Sequence, residues 1–194
     1  MHAGHKWRTA VCRTALRWSL RLGGSALLPG LAMAGNGLTW ANGSDMLAIG
    51  LPALAAGASW AQGDTEGFRQ LTLSLGTTVG ASELLKRTVH STRPDGSDNK
   101  SFPSMHTAVA FSAVRYLDKR YATEVAPYRP WLYAAAALTG VARVESDKHR
   151  WRDVLAGGAL GWGASQFWAE PVKGGQLSVL PTSGGMALAW QRAW

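Results

Sequence analysis

Two histidines, three fixed cations, a hydroxyl and a carboxylate fall in three short blocks of this chain, and together they suit phosphoryl transfer through a histidine. The blocks are Lys86 to Pro94 (KRTVHSTRP), Pro103 to His106 (PSMH) and Arg143 to Asp153 (RVESDKHRWRD). In the first, Lys86 falls near a predicted helix end. Arg93 follows seven residues on, just before Pro94 forces the chain extended, so the two cations can converge on one anion. Standing alone, such a pair is ordinary on a solvated helix end. In the second, Ser104 is a natural N-cap. Met105 and His106 then occupy the first helical turn, where unpaired backbone N–H groups and the positive end of the dipole favour an anion. A histidine beside a bound phosphate titrates near neutrality and can protonate a leaving alkoxide. In the third, His149 and Asp153 are four residues apart, on one predicted helical face. The carboxylate can there hold the Nδ1 proton and leave Nε2 toward phosphorus, the arrangement of an activated nucleophile. The planar fork of Arg143 suits a phosphate better than a lysine does. His90, Glu145 and Asp147 lie between these residues and are read as facing solvent.

The elements that must position the blocks are helices. Apolar periodicity and cap residues predict helices from Asp45 to about Ala61 and from Asp64 to about Thr88, the latter with apolar positions Leu71, Leu73, Leu75, Val79, Leu84 and Leu85. A loop at Arg93 to Gly96 precedes helices from Ser104 to about Tyr121, from Pro130 through Val141 and from about Arg150 to Trp168. The fold class is therefore all-α, a bundle of five or six helices. Gly157, Gly158, Gly161 and Gly163 weaken the last helix but let neighbours approach closely. Beyond it the period changes to two. Leu177 and Val179, then Met186, Leu188 and Trp190, flank Pro181 to Gly185, which predicts a β-hairpin with a long turn packed on the bundle. The longest charge-free run after residue 34, Met46 to Gly63, contains Pro52 and several glycines, and the other runs are shorter. All fall short of the ~20 apolar residues of a comfortable span, so they read as core helices of a soluble bundle, with an integral membrane protein as the alternative. Trp151, Trp162 and Trp168 are expected in the core, with contact to lipid at an interface as the alternative.

The first thirty-four residues hold Lys6, Arg8, Arg13, Arg17 and Arg21 with no acid, then an apolar run ending Ala32-Met33-Ala34. This has the parts of a secretory signal, which predicts an exported, periplasmic or envelope-associated protein. Residues 35–170 then form the helical domain and 171–194 the tail. Without the leader, the net charge of +8 falls to +3, because five of the twenty basic residues leave and all twelve acids stay. Several of the remaining cations sit in the three blocks. No diffuse basic face remains for nucleic acid. The one cysteine, Cys12, lies in the leader, so the mature chain has neither a disulfide nor a cysteine metal site.

The pattern Lys-x6-Arg-Pro, Pro-Ser-x-His, Arg-x5-His-x3-Asp resembles the type 2 phosphatidic acid phosphatase and vanadium haloperoxidase superfamily, over about Asp45 to Trp168. The resemblance implies a helical bundle and phosphate-ester hydrolysis with no metal or other cofactor, inhibited by vanadate. It implies His149 as the nucleophile forming a phosphohistidine, Asp153 as its orienting partner and His106 as the proton donor that later activates water. Lys86, Arg93, Ser104, Arg143 and the Met105 N–H would hold the phosphoryl oxygens. Two positions depart from the family: Met105 stands where glycine is usual and Ala142 where serine is usual. Neither removes a functional group the mechanism needs, but the Met105 side chain bears on substrate choice. The motifs grip the phosphoryl group alone. Phosphatidic acid, a polyprenyl pyrophosphate, a lipopolysaccharide phosphate and a soluble monoester all satisfy them, a lipid phosphate being the expected partner, with contact to a membrane surface. A vanadate-dependent haloperoxidase and a non-catalytic phosphate binder are the competing readings.

Overall fold

In a computed structural model of the chain, residues 39–172 are described in full and residues 176–182 and 185–191 by their backbone. The predicted leader, residues 1–34, lies outside the described residues. The bundle consists of α1 (Trp40–Ala61), α2 (Thr65–Thr88), α3 (Met105–Arg120), a short α4 (Ala122–Val125), a 3-10 turn (Ala126–Tyr128), α5 (Arg129–Glu145) and α6 (Trp151–Trp168). The all-α expectation holds. Helix starts follow cap chemistry. Asp64 caps α2 as predicted, accepting the Gly67 N–H at 2.8 Å, and Pro130 sits in the first turn of α5. At α1 the prediction is corrected. Thr39, not Asp45, is the cap, its hydroxyl accepting the Asn42 N–H at 3.2 Å. The helix therefore begins five residues before Asp45, whose carboxylate is left for other contacts.

The central helix is α3, packed against α1, α2, α5 and α6. The seams are narrow because small residues line them: Ala55, Ala108, Ala110, Ala113, Ala136, Ser59, Ser74, Ser112 and Ser165 are all buried. At one end, Asp64 gathers the caps of α1 and α2 onto α3. It accepts from Arg120 at 2.6 and 2.8 Å and from the Tyr121 hydroxyl at 2.8 Å. The Arg120 hydrogen bonds hold its carboxyl at about 2. This group favours the folded state at neutral pH, and that contribution is lost as pH falls from the ordinary aspartate value of 3.8 through about 2.

The α3–α6 seam is the closest. A Cβ at Gly161 would be driven into the Ala108 carbonyl and one at Gly157 into the Ser104 carbonyl, whereas one at Gly163 would meet nothing within 4 Å. Gly161→Ala is therefore expected to destabilise the bundle by about 3 kcal/mol, a fall of roughly 10 °C in Tm. Gly163→Ala should instead stabilise it, by up to about 1 kcal/mol. Thermal melts of the two variants check the contrast, and equal Tm values would refute the close approach.

The core admits Tyr116, Tyr121 and Leu117, but no tryptophan of α6 enters the seams lined by alanine, serine and glycine, and here the expectation about tryptophan is corrected. Trp151 and Trp162 are 54% and 42% exposed. Trp162 lies against the Arg115 guanidinium at 4.9 Å, and the Trp168 Nε1–H donates to Thr77 at 2.8 Å. In α2, too, the buried face is Gln70, Leu71, Ser74, Thr78, Ser82 and Lys86, while Val79 and Leu84 point outward. No described helix is long and apolar enough to cross a membrane.

The tail forms the predicted hairpin. Strand β1 (Gln176–Thr182) pairs antiparallel with β2 (Gly185–Gln191), in register from Gln176 opposite Gln191 to Thr182 opposite Gly185. The connection is shorter than predicted, because Pro181 belongs to the strand, opposite Met186. The expected packing of the hairpin on the bundle lies outside the described residues.

Candidate active site

The three blocks converge on the N-terminal ends of α3 and α6 and the C-terminal ends of α2 and α5. The loop between α2 and α3 is held against the start of α6 by backbone and side-chain bonds. Ser104 N–H donates to the Asp153 carbonyl at 2.9 Å, Asp95 N–H to the Asp147 carbonyl at 3.1 Å, and Arg150 Nη1 to the Thr92 carbonyl at 2.7 Å. Lys148 meets Asp95 at 2.6 Å. The chain leaves α5 by a tight turn in which Asp147 takes a φ of 55°. There the Arg143 carbonyl accepts the N–H groups of Lys148 and His149, each at 3.1 Å. One residue thus presents a guanidinium to the site and anchors the backbone of the candidate nucleophile.

His149 is 2% exposed. Burial, then the positive charges of Arg143, Arg93 and Lys86 in that order, push its imidazole down to about 3, with the Ser101 backbone opposing. It is neutral across the physiological range. The three sequence-predicted cations therefore act on this one ring although they come from three separate segments. Lys86, from the end of α2, is buried and donates to the Lys100 carbonyl at 2.7 Å. Its own pKa is lowered by burial and by Arg93. Arg93 is held by Asp98 at 2.8 Å.

Three predicted details differ. His149 precedes α6 rather than lying on it, and Asp153 is the third residue of that helix, its Oδ2 accepting the Arg150 N–H at 2.9 Å in a capping box. The same oxygen accepts the Ser101 hydroxyl at 2.5 Å. His149 Nδ1 and Asp153 Oδ2 are 3.8 Å apart, an ion-pair distance and too long for a hydrogen bond. Ser104 precedes α3 as predicted, but its hydroxyl makes no cap bond and pairs with Thr107 Oγ1 at 3.0 Å. Met105 and His106 open α3, both half-buried. His90, Glu145 and Asp147 are exposed, as read.

Sequence reasoning missed two residues. Asp45 Oδ1 lies 2.9 Å from His106 Nε2 and 3.3 Å from Arg143 Nη1, and Ser44 Oγ also accepts from Arg143 Nη1 at 3.3 Å. Only the tertiary packing of α1 on α5 reveals them. Among the described residues, five buried side-chain polar atoms lack a hydrogen-bond partner, and three of these are Arg143 Nε, His149 Nδ1 and Asp153 Oδ1. Each such atom costs about 1–3 kcal/mol, so their clustering marks a site organised for a ligand rather than for stability. No described group of three or more His, Cys, Asp or Glu side chains could hold a metal ion. A surface depression of about 420 Å³ lined by Arg115, Asp118, Lys119 and Arg129 lies at the other end of α3. Arg115 and Arg129 are already paired with Asp118 there.

Residues 67–171 match the family model of the PAP2 superfamily. That segment runs through α2 to α6 and holds all three blocks, while α1 with Ser44 and Asp45 lies before it. The chain is similar to a lipid A 1-phosphatase of Porphyromonas gingivalis, with 38% identity over 69 residues. The match covers 36% of this chain and spans 16% of the length of that protein. No solved structure gives a significant match.

Proposed function

The chain belongs to the PAP2 superfamily, and from that premise we propose that it is a lipid phosphatase that hydrolyses phosphate monoesters or pyrophosphates through a phosphohistidine, without a metal. The observation that carries the reading is the buried His149 imidazole, kept neutral by burial and then by the charges of Arg143, Arg93 and Lys86. The lone pair of its Nε2 attacks phosphorus. The P–N bond forms as the ester P–O bond breaks, and His106 gives its proton to the departing alkoxide. In the second half His106 takes a proton from water, the resulting hydroxide attacks phosphorus, and the P–N bond breaks to release inorganic phosphate. Asp153 orients His149 and balances the imidazolium-like charge that develops on it. The transferring group spreads negative charge over its equatorial oxygens, and the three cations, with Ser104 and the Met105 N–H, receive that charge.

A lipid substrate is supported from two sides. The relative matched by sequence is a lipid A 1-phosphatase, and large apolar side chains face outward in stripes: Met46, Ile49 and Trp60 on α1, Trp131 and Leu138 on α5, Trp151, Leu155 and Trp162 on α6. Exposed apolar area with aromatic and basic residues beside it suits a membrane interface, consistent with an exported, envelope-associated protein. The test is phosphate release by the purified chain with chelator present, from a lipid phosphate in vesicles and from a soluble monoester. The expected result is release that persists in chelator, is inhibited by vanadate, is faster on the lipid, and leaves acid-labile phosphate on His149 when quenched. Strict dependence on a divalent metal would overturn the mechanism, and preference for the soluble ester would overturn the substrate class.

A further inference from the structure

We propose that Asp45 is the positioning residue of the proton donor: its carboxylate pins His106 by Nε2 and ties that histidine to Arg143. The inference rests on the phosphatase reading and extends it to a helix outside the matched segment, because Asp45 lies in the second turn of α1 and the family match begins at residue 67. One oxygen, Oδ1, serves both contacts, at 2.9 Å to His106 and 3.3 Å to Arg143. The preceding residue adds a second link from α1, Ser44 Oγ to Arg143 Nη1 at 3.3 Å. His106 opens α3 and Arg143 closes α5, so neither helix by itself sets the distance between proton donor and cation. The short α1 segment does.

Geometry and charge agree on what the contact is for. The Asp45 side chain is 51% exposed, and an ion pair so open to water adds little to folding. Its effect on the charge of His106 is larger. The charged groups acting on that ring are Asp45 from α1, Arg143 from α5 and Arg93 from the α2–α3 loop, with His149 and Asp153 at the start of α6 and Lys86 at the end of α2 completing the site. Burial first, then Arg143, push the His106 pKa down, Arg93 adds to this, and Asp45 pushes it up. A general acid must hold its proton at working pH. Asp45 is the fixed group that favours the proton against two arginines. An imidazolium has two N–H groups; Asp45 takes one and leaves the other for the departing oxygen.

The experiment compares wild type, Asp45→Asn, which keeps the shape and removes the charge, and Asp45→Glu, which restores the charge. The first readout is the NMR titration of the His106 ring without substrate, and the second is kcat/KM for a phosphate ester against pH. In Asp45→Asn the His106 pKa should fall and the basic limb of kcat/KM should move to lower pH by the same amount. Each unit of that shift lowers kcat/KM about tenfold above the limb, and Asp45→Glu should recover most of it. A merely structural residue would lower Tm and leave both titrations in place. Coincident His106 titrations in wild type and Asp45→Asn would overturn the proposal, as would an unmoved basic limb. A wild-type chain that releases no phosphate would overturn the phosphatase reading and with it the catalytic use of the contact. The NMR titration, which needs no substrate, distinguishes that outcome from failure of Asp45 alone.

Discussion

His149→Ala should yield a folded protein whose phosphate release is lower by on the order of 10⁴-fold or more, since no other described side chain offers a neutral nitrogen among three cations. The fold should survive for a specific reason. The His149 backbone N–H, not its ring, carries the bond to Arg143, and ring Nδ1 has no hydrogen-bond partner to lose. Near-normal hydrolysis by the folded variant would remove His149 from the mechanism. The same variant tests the electrostatics. In the folded chain the imidazole is held at about 3, against the 6.5 of an ordinary histidine. Between those pH values the unfolded chain binds the proton and the folded chain does not, so this group lowers stability progressively as pH falls through that window, and costs nothing in this way above it. Denaturant melts should therefore show wild type losing stability from about pH 6.5 toward pH 3 more steeply than His149→Ala. It also follows that His149 stays unprotonated as a nucleophile well into the acid range, and that the acid limb of kcat/KM is not set by it above about pH 3.

The second large effect is expected at Arg143. Its side chain is buried and presents a guanidinium to the site, and its charge is the leading electrostatic cause of the lowered pKa of both histidines. Arg143→Met should lower kcat/KM by about 10²–10³-fold, the loss that follows removal of one preorganised donor at a developing charge. Arg143→Lys should recover only part, because an ammonium cannot reproduce the planar fork. With the arginine gone, the pKa values of His106 and His149 should both rise, which NMR titration of the two rings measures. A Met variant with wild-type kcat/KM, or with unchanged histidine titrations, would contradict the geometry described above. Asp45, half in water, is not left as a buried unpaired charge by the change, so a loss of activity will not simply report a loss of fold.

Met105 and Ala142 show how the sequence bears on specificity. Both depart from the family pattern, and neither alters a group that carries charge or a proton. Met105 opens α3 with its side chain half-buried, next in sequence to His106. An apolar side chain at that position is compatible with a lipid alcohol.

Much of the site was legible because its chemistry is local. Helix starts at Asp64 and Ser104, the proline in the first turn of α5 and the glycines of α6 are decided by neighbouring residues within one or two turns, so caps and spacing suffice to read them. The spacings of Lys86 and Arg93, of Ser104 and His106, and of Arg143, His149 and Asp153 likewise announce phosphate chemistry before any coordinate is known. What the spacing did not disclose is where Asp153 spends its hydrogen bonds. The capping box at Arg150 and the Ser101 hydroxyl occupy Oδ2, and the latter comes from a loop fifty-two residues away.

The outward tryptophans, and Val79 and Leu84 of α2, differ from the expectation for a related reason. A hydrophobic period tells which side of a helix differs from the other, but not how close the neighbouring helix lies, and that distance decides whether a seam accepts tryptophan or only alanine, serine and glycine. By itself, then, the sequence determined the helical class, the three blocks and the kind of reaction they suit. Tertiary structure alone decided that burial, with the charges of three cations, keeps the His149 imidazole neutral, and that Asp45 of α1 reaches His106 and Arg143. Desolvation and charge pairing act through space, across segments that one-dimensional spacing cannot relate.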